Sequence, residues 1–398
     1  MEGKISKGNN TVIDVITLFA VCFMGYGVNL FEGQSNLMFV IIIFLNYKRI
    51  KTIPKSYLIR LIILITITFS FFLIKQMYLE LWIIRAWLTA VIICCIYRDR
   101  IDDFVCNLEK LAHYSAIYTL IHVPIFIIFG ASNFGFCLHR FFIFWYNNAD
   151  WFMGIPRVQG FAWEPSCWSY ILIINLIFCL HNNRGYKHII IALMAILLCN
   201  STTVIMSTAV VLLIHAYFAT KKMRILFPVF FVIGLLIFPF FQGKLIEKLD
   251  SGSGLARLSD FYILIDVMNT SPLMGADAYG VSNSMLAFHA RERALIDSGQ
   301  NINEIGADGY FGEEMVNDFA ALLVQWGIVL GPFILFLYML TPLVKDFELR
   351  LLLLAGTIAV ISGTPITRTP IFFLFPISVL IMEPTLLKHP WKNIRKLN

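Results

Sequence analysis

The chain alternates long apolar runs with short polar joints, and the joints carry most of the charge. A helix that crosses the hydrocarbon of a bilayer needs roughly 20 apolar residues, and only helices satisfy their own backbone there. By that rule about twelve runs qualify, near 11–31, 35–47, 57–74, 79–97, 114–130, 166–181, 188–200, 203–220, 225–241, 318–343, 351–364 and 370–386. The runs at 35–47, 188–200 and 351–364 are short, which suits tilt, local thinning or re-entrant segments. The pattern predicts an all-α integral membrane protein, a single polytopic domain over 1–398. The first run follows Lys4 and Lys7 and lacks a small-residue cleavage site, so it reads as a retained span.

The polar joints set the orientation. Alternate joints hold Lys48, Arg49, Lys51 and Lys55, then Arg98, Arg100 and Lys110, then Arg184 and Lys187, then Lys221, Lys222 and Arg224, then Lys345 and Arg350. The tail adds Lys388, Lys392, Arg395 and Lys396. With these spans, all of them fall on one side together with Lys4 and Lys7, and that side reads as the cytoplasm. Both termini are then expected inside.

Two substantial segments remain for the outer side, 131–165 and 242–317, and long segments of this kind usually carry function. Arg140, Arg157, Lys244, Lys248, Arg257, Arg291 and Arg293 lie there, against the charge trend. Lipid headgroups and solvent would accommodate them; so would an anionic substrate. Residues 258–268 put Leu258, Phe261, Leu264, Ile265 and Met268 on one helical face, as in an interfacial helix. Residues 282–297 form a second candidate helix on which His289, Arg293 and Asp297 share a face. A salt-bridged, solvated helix would show the same spacing. The stretch 306–317 reads as an acidic, glycine-containing flap.

Composition narrows the classes. The chain is 59% hydrophobic and only 14% charged, where a soluble domain carries nearer a quarter charged residues. The net charge of +6 sits in short joints and does not argue for nucleic acid. The eight Cys fall mostly inside apolar runs, and no metal-ligand spacing appears. No P-loop or dinucleotide fingerprint is present, so no cofactor is expected.

Chemistry concentrates in Arg157-Val158-Gln159-Gly160-Phe161-Ala162-Trp163-Glu164-Pro165-Ser166. Pro165 suits the first turn of a helix, and Glu164 then stands by the positive end of its dipole. Gly160 lets the backbone turn sharply between the two charges. A capped helix start with a surface ion pair would use the same residues. The flanking Trp145, Tyr146, Trp151, Phe152, Trp163 and Trp168 fit either an interfacial belt or sugar-stacking rings.

This Arg-x-x-Gly-x-x-x-Glu-Pro-Ser pattern before an apolar run resembles the O-antigen and exopolysaccharide polymerase family, polytopic enzymes related in fold to the O-antigen ligases. Three further stretches resemble the same family: Arg257 followed by Ser271-Pro272-Leu273-Met274-Gly275; Asn317-Asp318-Phe319 followed by Leu322-Leu323-Val324-Gln325-Trp326-Gly327; and Ser201-Thr202-Thr203. The ligase branch usually has a His just before that Asn, and here the position is Val316. The resemblance implies a metal-independent glycosyltransferase of the bacterial inner membrane. It would join oligosaccharide repeat units carried on undecaprenyl diphosphate, with membrane lipid and a chain-length regulator protein as partners. It implies Arg157 and Arg257 as diphosphate clamps, Arg291 or Arg293 as a third, and Glu164 or His289 as the base. Gly160, Trp163 and Asn317 would shape the substrate site. A ligase, or a flippase for lipid-linked oligosaccharide, are the alternatives; the flippase predicts symmetric halves and short outer loops.

Overall fold

The computed structural model describes residues 7–23, 34–74, 81–135, 138–141, 143–152, 155–162, 165–199, 201–219, 252–276, 285–297, 315, 317–363, 367 and 369–382. The described chain is mostly helical. Its helices are α1 (Lys7–Phe23), α2 (Gln34–Ile50), α3 (Lys55–Ile74), α4 (Leu81–Tyr97), α5 (Ile101–Phe129), α6 (Pro165–His181), α7 (Tyr186–Cys199), α8 (Thr202–Ala219), α9 (Gly252–Thr270), α10 (Met285–Asp297), α11 (Asp318–Leu340), α12 (Phe347–Ile361) and α13 (Pro370–Ile381). Eleven of the apolar runs fall on helices, and the run near 225–241 lies outside the described residues. By length and composition α3, α5 and α11 are each able to cross a membrane, while among the described residues α1, α4, α6, α7, α8 and α13 hold shorter apolar stretches of 10–17 residues.

Helix ends follow from local chemistry. Pro165 and Pro370 open α6 and α13, where a missing N–H costs nothing. Asn317 caps α11 by accepting from the Ala320 amide at 3.2 Å, and Asp346 caps α12 through the Leu349 amide at 3.0 Å.

The expectation of an all-α chain is corrected in the segment 131–165. It folds as an antiparallel meander, β1 (Ser132–Gly135), β2 (Leu138–Phe141), β3 (Phe144–Phe152) and β4 (Ile155–Val158), in the order β1-β2-β3-β4. The central strand β3 is rich in Phe, Tyr and Trp, residues that favour a pleated, half-buried surface. The Tyr146 hydroxyl donates to His122 O at 2.8 Å, and the Tyr118 hydroxyl to Ile143 O at 2.5 Å, so the sheet is latched onto α5. Burial holds the Tyr146 phenol above its usual range. Trp145, Tyr146 and Trp168 are buried in this packing, so these three are core residues and form neither a belt nor a stacking surface.

Polar contacts sort the helix ends into two faces. At one face Asp14 of α1 meets Arg49 of α2 at 2.5 Å and Arg100 at 3.1 Å, and Arg184 meets Glu109 at 2.8 Å. Lys345 meets Asp102 at 2.7 Å there, and Arg60 donates to Ile381 O at the end of α13 at 2.7 Å. These ends are the ones that the Lys and Arg pattern grouped together. The sheet, α9, α10 and the first residues of α8, α11 and α13 collect at the other face. There, α9, α10 and the start of α11 form a cap with its own apolar cluster, built on Ile263, Val267, Ala287, Ala290, Ala320 and Val324.

Candidate functional site

Arg157 lies in β4 opposite Asn147 of β3. Two residues later the Gln159 amide donates to Trp145 O at 3.1 Å, and Gly160 then turns with φ +61. An added Cβ at Gly160 would sit 2.1 Å from the Trp168 ring, which is itself held by its indole N–H on Thr119 Oγ1 at 2.8 Å. The turn therefore needs glycine for both φ and space. It fixes the half-buried Arg157, whose Nε donates to Cys199 O at the end of α7 at 3.0 Å.

Arg257, also half-buried, approaches the same place from α9. Its guanidinium donates to Gly363 O, after α12, at 3.2 Å. A Cβ built at Gly363 would be 2.4 Å from Thr203 Oγ1 and 3.3 Å from Arg257 Nε, so Arg257, Gly363 and the start of α8 are in close contact. Arg157 thus meets the end of α7 at Cys199, and Arg257 meets Gly363, which lies against Thr203 at the start of α8, although the two arginines come from different segments of the chain.

The junction continues through carboxylates. Asp260, one turn after Arg257, accepts from the Asn317 amide at 2.7 Å. Asp318 accepts from the Thr367 amide, between α12 and α13, at 2.5 Å. Asp260, Asn317 and Asp318 are each no more than 4% exposed. Buried carboxylates of this kind are tolerated because amide donors satisfy them. One polar junction therefore ties β4, the α7–α8 turn, the α12–α13 connection, α9 and the head of α11.

A backbone clasp sets the far side of the cap. In an unbroken helix the Ile328 amide would donate to Val324 O. Here Gly327, at φ 72, interrupts α11. The Ile328 amide donates instead to Pro272 O at 2.9 Å, and Val324 O accepts from the Ala276 amide at 2.7 Å. The segment after α9 is spliced into the gap, replacing one helical bond by two. A Cβ at Gly327 would lie 2.2 Å from Leu273 O, and one at Gly275 (φ +69) 2.2 Å from Val324 O. Ser271–Gly275 and Leu322–Gly327, two of the stretches singled out in the sequence, thus interlock with each other.

His289 and Arg293 make their contacts within the cap. His289 is exposed, with Nδ1 3.5 Å from Glu292. Arg293 pairs with Asp266 and stands 5.2 Å over the Tyr262 ring, and Asp297 accepts from the Tyr262 hydroxyl. That bond, to an acceptor carboxylate, raises the Tyr262 phenol above its usual range. Among the described residues, the polar contacts of His289 and Arg293 stay within α9 and α10, as expected of a salt-bridged helix face. Arg291 is half-buried on α10. Trp163 and Glu164 lie outside the described residues. Asp260 and Gly363 were missed by sequence reasoning. An aspartate inside an apolar helical repeat was the available signal for the first, and the second had none.

No family model, no curated protein and no solved structure matches the chain.

Proposed function

We propose that the protein is a glycosyltransferase of the bacterial inner membrane that joins oligosaccharide repeat units carried on undecaprenyl diphosphate into O-antigen or exopolysaccharide. It crosses the membrane about twelve times, with both termini cytoplasmic and the junction on the outer face. The observation that supports this reading best is the approach of Arg157 and Arg257, from two outer segments, to one polar turn. A guanidinium fork matches phosphate oxygens bidentately, which suits a diphosphate carrier.

In the proposed reaction the acceptor hydroxyl attacks the donor's anomeric carbon. A C–O bond forms, the bond to diphosphate breaks, and the lipid diphosphate leaves with the electron pair. The arginines neutralise the charge that develops on it. A carboxylate takes the hydroxyl proton, and Glu164, immediately before α6, is assigned that role. The cap and sheet give the outer face a bulk that a transporter with short outer loops would lack. The test is purified protein with lipid-linked repeat units. Chains of two and more repeats, formed without added divalent metal, are expected; repeat units left unjoined would overturn the reading.

The sidedness has its own expected result. Cys106 is exposed near the start of α5, at the face assigned to the cytoplasm. In a Cys137→Ser background, a membrane-impermeant maleimide should label Cys106 only after cells are permeabilised. Labelling of intact cells would invert the topology.

A further inference from the structure

The cap shows apolar side chains on two sides of α9. Ile263 and Val267 are buried in its own cluster. On another side Leu258, Phe261 and Ile265 recur at helical spacing, and Phe261 and Ile265 are 45% and 50% exposed. The strip does not stop where α9 ends. Leu273, in the clasp, is 63% exposed, and the clasp joins its neighbour Pro272 to Ile328. From there Ile328, Val329, Phe333 and Phe336 are exposed along α11, one of the helices long and apolar enough to cross a membrane. The clasp also marks a level: Trp326, beside Gly327, stacks on Phe71 in the last turn of α3 at 5.8 Å. Exposed apolar side chains therefore run along α11, pass Leu273 beside the break at Gly327, and resume on α9.

We propose that this face of α9 is seated in the outer leaflet, at the boundary between headgroups and acyl chains. Its partner is the bilayer itself. An apolar helix face next to a membrane gains by burial there, and an exposed apolar strip continuous with a lipid-facing span has the same solvent along its length. Arg257 stands one turn before Phe261, so this seating holds its guanidinium at the depth of lipid phosphates. This seating holds whichever reaction the junction performs.

The unaltered full-length protein, reconstituted in phosphatidylethanolamine–phosphatidylglycerol vesicles, provides the test. One sample is labelled by a bilayer-confined aryl diazirine and a second by a water-soluble diazirine, and both are mapped by peptide mass. The ratio of bilayer to aqueous labelling at Phe261 and Ile265 should match that at Phe333 and exceed that at Glu292 by about fivefold or more. A ratio at Phe261 equal to that at Glu292 would overturn the proposal. So would protection of Phe261 from both reagents that disappears when the protein is diluted among vesicles, because the face would then be covered by a second copy.

Discussion

Replacing Arg157 or Arg257 by lysine should lower the rate of repeat-unit joining by on the order of a hundredfold, with little change in protein yield. Each guanidinium has one N–H held by a backbone carbonyl, Cys199 O for Arg157 and Gly363 O for Arg257, which orients the planar fork. An ammonium is a point charge with no fixed plane, so it satisfies that carbonyl or a phosphate oxygen but does not align two donors. The loss should appear in kcat at saturating substrate, because the charge to be neutralised grows as the diphosphate departs. Arg293→Lys is the internal comparison. Its partners, Asp266 and Tyr262, are within the cap, so it should retain near-normal turnover. Equal, small effects at all three positions would remove Arg157 and Arg257 from the reaction.

The clasp carries the second large effect. Gly327→Ala forces a Cβ to within 2.2 Å of Leu273 O in a left-handed backbone that side chains rarely adopt. Two backbone hydrogen bonds depend on that approach, so the cost should reach about 3 kcal/mol or more. Gly275→Ala meets the same obstacle from the other strand of the clasp, 2.2 Å from Val324 O. Thermal unfolding in detergent should show each variant clearly destabilised. The double variant should be scarcely worse than either single, because both break one feature. Gly185→Ala, with nothing within 4 Å of its new methyl, should unfold like the parent. Additive losses in the double variant would mean that the two glycines serve separate purposes.

The sequence made the helices legible because apolar runs and charged joints leave few alternatives in a bilayer. It was much less informative about the face that holds the sheet and the cap. The strands β1 to β4 were hidden because the aromatic residues fit an interfacial belt as well as a sheet, and three of the four strands have only four residues, which gives a weak period. The stripe of Leu258, Phe261, Leu264, Ile265 and Met268 was readable, but it divides: Leu264 and Met268 pack with Ile263 and Val267 in the cap, while Phe261 and Ile265 stay exposed. Arg157 and Arg257 stood out because they lie in the two segments that the Lys and Arg pattern leaves apart from the basic joints. That both reach one turn depends on Gly363 and the α12–α13 connection, which nothing local in the chain announces. Arg293 and Asp297 of the expected shared face staple α10 to α9, whereas His289 meets Glu292 on its own helix. The clasp was present in the sequence only as two glycines, Gly275 and Gly327. Nothing local related them, because each is explained by the other's backbone.

The central claim is that the junction joins units already exported. The most direct measurement is the length of surface glycan in cells whose only copy carries Arg157→Ala or Arg257→Ala, with protein level matched by immunoblot. A polymerase defect leaves exported units intact, so a separate ligase still attaches them singly, and glycan of one repeat is the expected result. Surface glycan that is wholly absent, or that retains its normal long chains, would contradict the account.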